Sequence, residues 1–246
     1  MTNHSNNNLG SHTALVTGST SGLGKAIAVR LAAEGAAVIV HGRDADRGAA
    51  VVAEITAAGG TARLITADLS DTTQIERMIA DVGDVDILVN NAGLAAFSPT
   101  ADLPAATFEA LFANNVRAPF MLVAAFAPKM AANGAGSIVN ITSMSAKVGL
   151  ALGSAYGASK AALESMTRSW AAEYSPSGVR VNAVAPGPVY TDGSDPDRIQ
   201  ALGSTTPMNR AAQPNEIAEL VVFLASPQAS YITGATIAAD GGRTAV

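Results

Sequence analysis

Three side chains in the second half of the chain have the types and spacing of a proton-transfer group. Ser143 precedes Tyr156 by thirteen residues, and Lys160 follows Tyr156 by four. A phenol has an ordinary pKa of about 10, so alone it exchanges protons poorly at neutral pH. On a helix, Lys160 would share a face with Tyr156, and we expect its ammonium to lower the pKa of the phenol. With a serine hydroxyl beside it, the group could polarise a carbonyl and protonate its oxygen.

A tyrosine and a lysine at this spacing also occur on the surface of ordinary amphipathic helices. Tyr156 and Lys160 would then face solvent and carry no chemistry. The carbonyl hypothesis therefore requires that the same chain also bind a hydride donor.

A glycine-rich turn near the N-terminus meets that requirement. The apolar and β-branched run 13–17 is typical of a buried strand, and the residues from Lys25 onward have helical periodicity. Between a strand and a helix, glycines admit a pyrophosphate, and the first N–H groups of the helix bind its charge. An ordinary Gly/Ser turn is the alternative, since the spacing is G-x-x-x-G-x-G. The turn consists of Gly18, Ser19, Thr20, Ser21, Gly22, Leu23 and Gly24.

Seven motifs in register, from about Thr13 to Gly242, resemble those of the classical short-chain dehydrogenase/reductase family. They are Thr17-Gly18-x-x-x-Gly22-x-Gly24, Asp68-Leu69, Asn90-Asn91-Ala92-Gly93, Asn115, Ser143, Tyr156-x-x-x-Lys160 and Pro186-Gly187. The resemblance implies an oxidoreductase that moves a hydride between a nicotinamide cofactor and a ketone or aldehyde, as a carbonyl reductase or alcohol dehydrogenase does.

The resemblance also implies a role for each catalytic residue. Tyr156 would give the proton in reduction and take it in oxidation. Lys160 would lower the Tyr156 pKa and bind the nicotinamide ribose, and Ser143 would donate a hydrogen bond to the substrate oxygen. Asn115 would hold a water in a proton relay, and it matches the family pattern better than its neighbour Asn114 does.

Further cofactor contacts are implied position by position. Asp68 would accept a hydrogen bond from the adenine, although it could instead cap the helix that follows. The other implied contacts are Leu69 beside the adenine, Asn91, Ala92 and Gly93 at the adenosine ribose, and Pro186, Gly187, Val189 and Thr191 at the carboxamide.

The end of the second predicted strand favours NADP(H) over NAD(H). An acidic residue there would bind a ribose 2′-hydroxyl, whereas a basic residue accommodates a 2′-phosphate. This chain has Gly42 where NAD-preferring relatives place aspartate, and Arg43 follows. The guanidinium suits a phosphate, with His41 as a second contact. The alternative is that Arg43 is a solvated arginine paired with a nearby aspartate.

Strand and helix patterns alternate along the chain without a linker or repeat. They predict an α/β fold: a Rossmann-type doubly wound parallel sheet in a three-layer α/β/α single domain over residues 13–246, preceded by a disordered tail over residues 1–12. One long helix is predicted over 105–132, bent near Pro119 and Pro128. Residues from about 190 to 212 resemble a mobile substrate lid.

Composition excludes several classes of function. The 246 residues include no cysteine and three histidines, so neither a disulfide nor a metal site is expected. The net charge of −5 offers no basic surface for nucleic acid. Charged residues interrupt the apolar runs, so we expect no membrane span and a cytoplasmic location.

The substrate pocket is expected between the catalytic serine and tyrosine and beneath the lid. Its apolar and small residues favour a ketone or aldehyde of modest size, although each could equally pack in the core. The expected lining is Ser143, Met144, Ser145, Leu150, Gly153, Tyr156 and Met208.

Two alternative functions remain open. One is a 3-oxoacyl-[acyl-carrier-protein] reductase, for which Lys129, Arg168 and Arg180 could dock an acidic carrier. The other is a regulatory protein that binds a cyclic dinucleotide, suggested by the stretch 186–192. The family resemblance further implies a homotetramer, built through the helices that carry Asn115 and Tyr156.

Overall fold

The computed structural model describes residues 9–192 and 194–246. Seven strands form the sheet: β1 Thr13–Val16, β2 Ala37–Gly42, β3 Thr61–Thr66, β4 Ile87–Asn90, β5 Gly136–Ile141, β6 Val179–Pro186 and β7 Thr236–Ala239. They lie in the order β3-β2-β1-β4-β5-β6-β7, and all neighbours are parallel. Around the sheet lie α1 Gly22–Ala33, α2 Ala45–Ala57, α3 Thr72–Val82, α4 Ala105–Phe112, α5 Ala118–Ala132, α6 Ser154–Tyr174, α7 Pro196–Gly203 and α8 Pro214–Ala225. The predicted three-layer Rossmann-type fold is confirmed.

Each face of the sheet has its own apolar core, because successive side chains of a strand point to opposite faces. On β1, Val16 joins the core that contains Ile27 of α1, whereas Leu15 joins the core that contains Phe126 of α5. The strand order reverses between β1 and β4, which opens a crevice at their carboxyl ends. The glycine turn follows β1, and Asn91 follows β4, so both lie at this crevice.

The predicted N-terminal tail, residues 1–12, overlaps the described chain at residues 9–12. Residues 1–8, including His4, lie outside the described residues. Leu9 is completely buried, and its N–H donates to the carbonyl of Glu34. The chain is therefore packed against the domain from Leu9 onward.

The predicted lid contains a helix that the sequence pattern did not predict. This helix is α7, and Asp195 caps its first turn by accepting a hydrogen bond from the N–H of Asp197 at 3.0 Å. The lid glycine Gly193 lies outside the described residues.

The long helix predicted over 105–132 is interrupted, but not at its prolines. Residues Ala113–Arg117 form a single π-helical turn between α4 and α5. Pro119 lies in the first turn of α5, where a missing N–H costs little. Among the described residues, Ala105–Ala132 is also the one helical stretch long and apolar enough to cross a membrane. Phe126 and Met130 of this stretch are buried in the apolar core of the domain.

Candidate active site

The glycine turn after β1 is built so tightly that side chains are excluded. Gly18 has φ +65°, and a Cβ placed there would lie 2.8 Å from the Cα of Ala92. A Cβ on Gly24 would lie 2.2 Å from the carbonyl oxygen of Gly18. Ser19 points inward, because its hydroxyl donates to the carbonyl of Val16 at 2.7 Å. Side chains are therefore excluded at Gly18 and Gly24, where the backbone of the turn packs closely.

The first turn of α1 is open to an anion. Its N-cap, Ser21, makes no side-chain capping hydrogen bond. The N–H of Gly22 instead donates to Oδ2 of Asp192, in the lid, at 3.1 Å. A carboxylate thus lies where the helix dipole and backbone donors favour negative charge.

Asp192 should compete with an anionic cofactor for this position. We expect Asp192→Asn to tighten NADPH binding about two- to fivefold, because it removes one negative charge from the helix terminus. Titration of NADPH fluorescence measures the change. Asp197→Asn, in the same segment but not bound to Gly22, serves as the control. An unchanged Kd for Asp192→Asn would contradict the competition.

Asn91 joins the two strands that flank the crevice. Its side-chain amide donates to the carbonyl oxygens of Thr17 and Gly18 at 2.9 and 3.1 Å. The hydroxyl of Thr17 accepts from the N–H groups of Asn91 and Ala92, each at 3.0 Å. Asn91 therefore holds the glycine turn in shape, and its carboxamide nitrogen is already used.

A cavity of about 690 Å³ runs from this turn to the ends of β2 and β3. Most of the residues predicted to bind the cofactor line it, whereas Ser19, Tyr156, Lys160, Pro186, Gly187 and Val189 do not. The lining includes Gly18, Thr20, Ser21, Gly22, Leu23, Gly24, His41, Arg43, Asp68, Leu69, Asn91, Ala92, Gly93 and Thr191.

His41 has a different role from the predicted phosphate contact. It is buried, and its Nδ1 accepts a hydrogen bond from the N–H of Gly18 at 3.1 Å. Burial lowers the pKa of His41 to about 4. A neutral imidazole engaged in this way fixes the glycine turn and is unsuited to binding a 2′-phosphate.

Arg43 lies at the outer rim of the cavity with 78% of its side chain exposed. It is not paired with Asp44, which instead binds Arg47 at 2.8 Å. The nearest carboxylate is that of Asp68, 3.9 Å away. A Cβ on Gly42 would lie 2.4 Å from the methyl group of Thr20, so an aspartate there would require that side chain to move.

Asp68 acts locally as a turn residue. Its Oδ1 accepts the N–H of Ser70 at 2.8 Å, and this hydrogen bond is the largest contribution to the lowered pKa of Asp68. Asp71 caps α3. Asp68 is therefore not the N-cap of α3. Its second carboxylate oxygen, Oδ2, lies 3.9 Å from Nη1 of Arg43.

Ser143, Tyr156 and Lys160 converge on a smaller cavity of about 210 Å³, together with Pro186 and Gly187. The two cavities share Leu23, Asn91, Gly93 and Leu94, so they form one extended groove. Such a groove, with a glycine turn beside one part and the phenol in the other, fits a dinucleotide with its reactive ring beside Tyr156.

Lys160 is buried beneath the phenol. Its ammonium lies 5.9 Å from the centre of the Tyr156 ring and donates to the carbonyl of Ile141 at 2.9 Å. Burial lowers the pKa of Lys160 to about 8. The helical spacing thus places both groups on one face, but the amine is directed toward the end of β5.

The expected lowering of the Tyr156 pKa is not found. Burial raises the pKa of Tyr156, and the neighbouring Ser143 hydroxyl only partly opposes this rise. The four-residue spacing brings Tyr156 and Lys160 close together. Desolvation of the phenol nevertheless has a larger effect on the pKa of Tyr156 than the amine has. At neutral pH the phenol is protonated and ready to donate.

Asn115 lies in the π-helical turn and is completely buried. Its Nδ2 donates to the carbonyl of Leu94 and to the hydroxyl of Ser159, at 2.8 and 2.9 Å. Its Oδ1 accepts the N–H of Leu94 at 2.8 Å. Asn114 donates to the carbonyl of Ala110 within its own helix. Of the two asparagines, Asn115 is the one beside α6 and the catalytic groups.

Beyond Tyr156, the loop after β6 forms the other wall. The N–H of Gly187 donates to the carbonyl of Ala239 at 3.0 Å, and a Cβ on Gly187 would lie 2.7 Å from the Cα of Asp240. Val189 pairs with Ala212 in an isolated parallel bridge. The hydroxyl groups of Thr191 and Ser194 lie 2.6 Å apart.

The residues of the predicted substrate pocket lie in different surroundings. Met144 and Ser145 are buried, and Met208 lines a separate cavity of about 500 Å³ with Asp240 and Arg210. Gly153 is close to Leu150 and to Phe97. Phe97 was missed, although its ring centre lies 5.6 Å from that of Tyr156. The sequence indicated Phe97 only as an aromatic residue in the loop after β4.

Metal chemistry has no visible basis in the described part of the chain. No group of three or more His, Asp or Glu side chains there is placed to hold a metal ion.

Known proteins resemble the chain along nearly its whole length. The family described as "Enoyl-(Acyl carrier protein) reductase" matches residues 18–244. L-rhamnose 1-dehydrogenase (NAD(P)(+)) of Azotobacter vinelandii is 37% identical, over 94% of this chain and 95% of that protein. Galactitol 2-dehydrogenase (L-tagatose-forming) of Cereibacter sphaeroides is 41% identical, over 94% of each chain.

Several solved structures are also similar to this chain along nearly its whole length. A short chain dehydrogenase/reductase family protein is 51% identical with a TM-score of 0.91, over 97% of this chain and 100% of that chain. A protein named for betaketoacyl-ACP reductase activity is 50% identical with a TM-score of 0.90, over the same shares. A Beutenbergia cavernae protein named for NAD(P)-dependent gluconate 5-dehydrogenase activity, solved with NADP, is 38% identical with a TM-score of 0.93, over 98% and 100%. The chain belongs to the short-chain dehydrogenase/reductase family of oxidoreductases.

Proposed function

We propose that this protein is an NADP(H)-dependent oxidoreductase that interconverts a secondary alcohol and a ketone, or a primary alcohol and an aldehyde, on a small molecule. The observation that carries the proposal is the single groove that joins the glycine turn and Arg43 to Ser143, Tyr156 and Lys160. The bound nicotinamide cofactor would supply or accept the hydride.

The residues of the chain would manage the proton and the charge. In reduction, the protonated Tyr156 phenol donates to the substrate oxygen, and the Ser143 hydroxyl stabilises the charge that develops there. In oxidation, Tyr156 must accept a proton, which a positive charge at the buried Lys160 favours. Asn115 connects this pair to the loop after β4, and we propose that it also orders the water of a proton relay.

Preference for NADP(H) rests on Arg43. We expect a higher kcat/KM with NADPH than with NADH, and we expect Arg43→Ala to lower the NADPH value about tenfold with little change for NADH, because a phosphate loses its charged partner. Arg47→Ala is the matched control, since Arg47 lines the same cavity but is already paired with Asp44. Equal use of both cofactors by the unsubstituted protein would contradict the assignment.

The substrate class follows from the size of the site and from the relatives. The inner cavity is small, and the relatives named above act on hydroxyl groups of sugars and polyols. We propose a small alcohol and its carbonyl partner as substrates. A panel of polyols, sugar acids and simple ketones, followed by absorbance of NADPH, tests this class. If the protein bound nucleotide but oxidised or reduced none of these compounds, a regulatory function would be favoured.

A 3-oxoacyl-carrier-protein reductase is the second candidate, favoured by the relative of 50% identity. Two of the three basic residues available for docking are already engaged. Lys129 pairs with Asp84 at 2.9 Å, and Arg180 donates to the carbonyl of Leu224 at 2.7 Å. Efficient reduction of acetoacetyl thioesters, relative to simple ketones, would support this candidate.

We also propose that the protein is a homotetramer. An open apolar groove of about 600 Å³ lies along α4, the π-helical turn, α5 and α6. Phe108 and Phe120 are 45% and 54% exposed in it, which a second copy of these helices could cover. Light scattering of the purified protein measures the assembly directly.

A further inference from the structure

An arginine of the lid lies close to the catalytic phenol. Arg198, on α7, places its guanidinium carbon 4.9 Å from the centre of the Phe97 ring. The same ring lies 5.6 Å from that of Tyr156. A cation and the proposed proton donor therefore contact one aromatic ring.

Phe97 lies in the loop after β4, with its ring against that of Tyr156. The N–H of Ser98 donates to the carbonyl of Leu152 at 2.9 Å, which joins this loop to the loop before α6. Neither Phe97 nor Arg198 lines the larger cavity, where the glycine turn and Arg43 lie, or the smaller one. Arg198 is linked to the catalytic end of the groove through the ring of Phe97.

Arg198 is not held in a close ion pair. Among the described residues, no carboxylate lies within 4.0 Å of it, whereas Arg47 and Arg210 each have one and Arg30 has two. The ring that it contacts, Phe97, is partly exposed, as are Leu94 and Leu152. An arginine on an aromatic face keeps its N–H donors in the plane of the guanidinium, directed past the ring.

We propose that Arg198 binds an anionic group of the substrate and that the substrate is a small hydroxy or oxo carboxylic acid. This inference rests on the proposed oxidoreductase function. The planar fork of a guanidinium matches a carboxylate in two parallel hydrogen bonds. A single guanidinium balances the single charge of a carboxylate but only half the charge of a phosphate dianion, so a carboxylate suits Arg198 better.

The reaction at the other end of the substrate is unchanged by this contact. In reduction, the bound cofactor would supply the hydride to the carbonyl carbon, Tyr156 gives its proton to the carbonyl oxygen, and a proton from solvent restores the phenol as the hydroxy acid leaves. Arg198 only orients the acid so that the carbonyl reaches the phenol. It is therefore a specificity residue.

Matched pairs of substrates test the proposal. The probes are 4-oxopentanoate, 5-oxohexanoate and 4-oxocyclohexanecarboxylate, each against its methyl ester, with NADPH in excess. For at least one pair we expect the acid to exceed the ester in kcat/KM by roughly tenfold or more. Arg198→Ala should abolish that preference mainly by raising KM for the acid, with the ester changed by no more than about twofold.

Two further variants separate charge from structure. Arg198→Lys should restore part of the preference, because it keeps the charge but loses the fork. Arg77→Ala, on the exposed face of α3, should leave the preference unchanged and serves as the matched control.

The outcomes distinguish this inference from the proposed function. Reduction of the esters without any preference for the acids, or a preference that survives Arg198→Ala, would overturn the role of Arg198 and leave the oxidoreductase intact. If the unsubstituted protein had no activity on the acids, the esters or the wider panel of alcohols and ketones, both the role of Arg198 and the proposed oxidoreductase function would be wrong.

Discussion

Tyr156→Phe should lower kcat for carbonyl reduction by about 10²- to 10⁴-fold, the usual contribution of a general acid. The substitution removes the phenol hydroxyl that we propose as the proton donor and keeps the ring that packs against Phe97. NADPH should still bind, because the glycine turn and Arg43 are untouched. Steady-state rates and fluorescence titration measure the two properties separately.

A second tyrosine on the same helix provides the control. Tyr174 lies at the end of α6, and Tyr174→Phe makes the same chemical change away from the groove. We expect it to retain activity within about twofold. If Tyr156→Phe also kept most of its activity, the proton would have to come from another group and the proposed mechanism would be wrong.

Lys160→Met should abolish most activity and yet stabilise the fold. The ammonium is buried, and burial lowers the pKa of Lys160 to about 8 from 10.5, which corresponds to about 3 kcal/mol of unfavourable interaction for the charged form. Methionine removes that cost but leaves the carbonyl of Ile141 without its donor, which costs about 1 kcal/mol or more. A net gain of about 1–2 kcal/mol in the free energy of unfolding at pH 7 is expected.

The pH dependence of stability gives a sharper test. Because the folded pKa lies below the unfolded value, the unfolded chain holds the proton more tightly between pH 8 and 10.5. The contribution of Lys160 to stability is therefore unfavourable below pH 8 and is relieved as pH rises through this window. From pH 7 to pH 10 the unsubstituted protein should gain about 2–3 kcal/mol relative to Lys160→Met, so that the advantage of the variant at pH 7 is lost and the order of stability reverses.

Urea unfolding at several pH values measures this difference in stability. Lys129→Met is the control, because it makes the same substitution at a lysine whose side chain is half exposed. A difference that did not change with pH would mean that Lys160 is not desolvated as the structure indicates. Full catalytic activity of Lys160→Met would exclude a role for the amine in catalysis.

Most of the fold could be predicted from local sequence, because its signals are local. Alternating apolar runs and turn residues predicted the succession of strands and helices, and the apolar run 13–17 contains β1, Thr13–Val16. The glycine turn was predictable for the same reason, since it requires particular residues at particular positions. The π-helical turn was not, because it depends on contacts that Asn115 makes with Leu94 and Ser159.

The sequence by itself determined which groups meet. The four-residue spacing places Tyr156 and Lys160 on one helical face, and parallel strands bring the turn after β1 and the loop after β4 to one crevice. Tertiary structure alone decided how those groups behave. Burial reversed the expected direction of the Tyr156 pKa and made His41 a neutral support for Gly18. Lid packing placed Asp192 on Gly22 and Arg198 on Phe97. Desolvation and charge contacts depend on neighbours distant in sequence, so spacing along the chain carries no record of them.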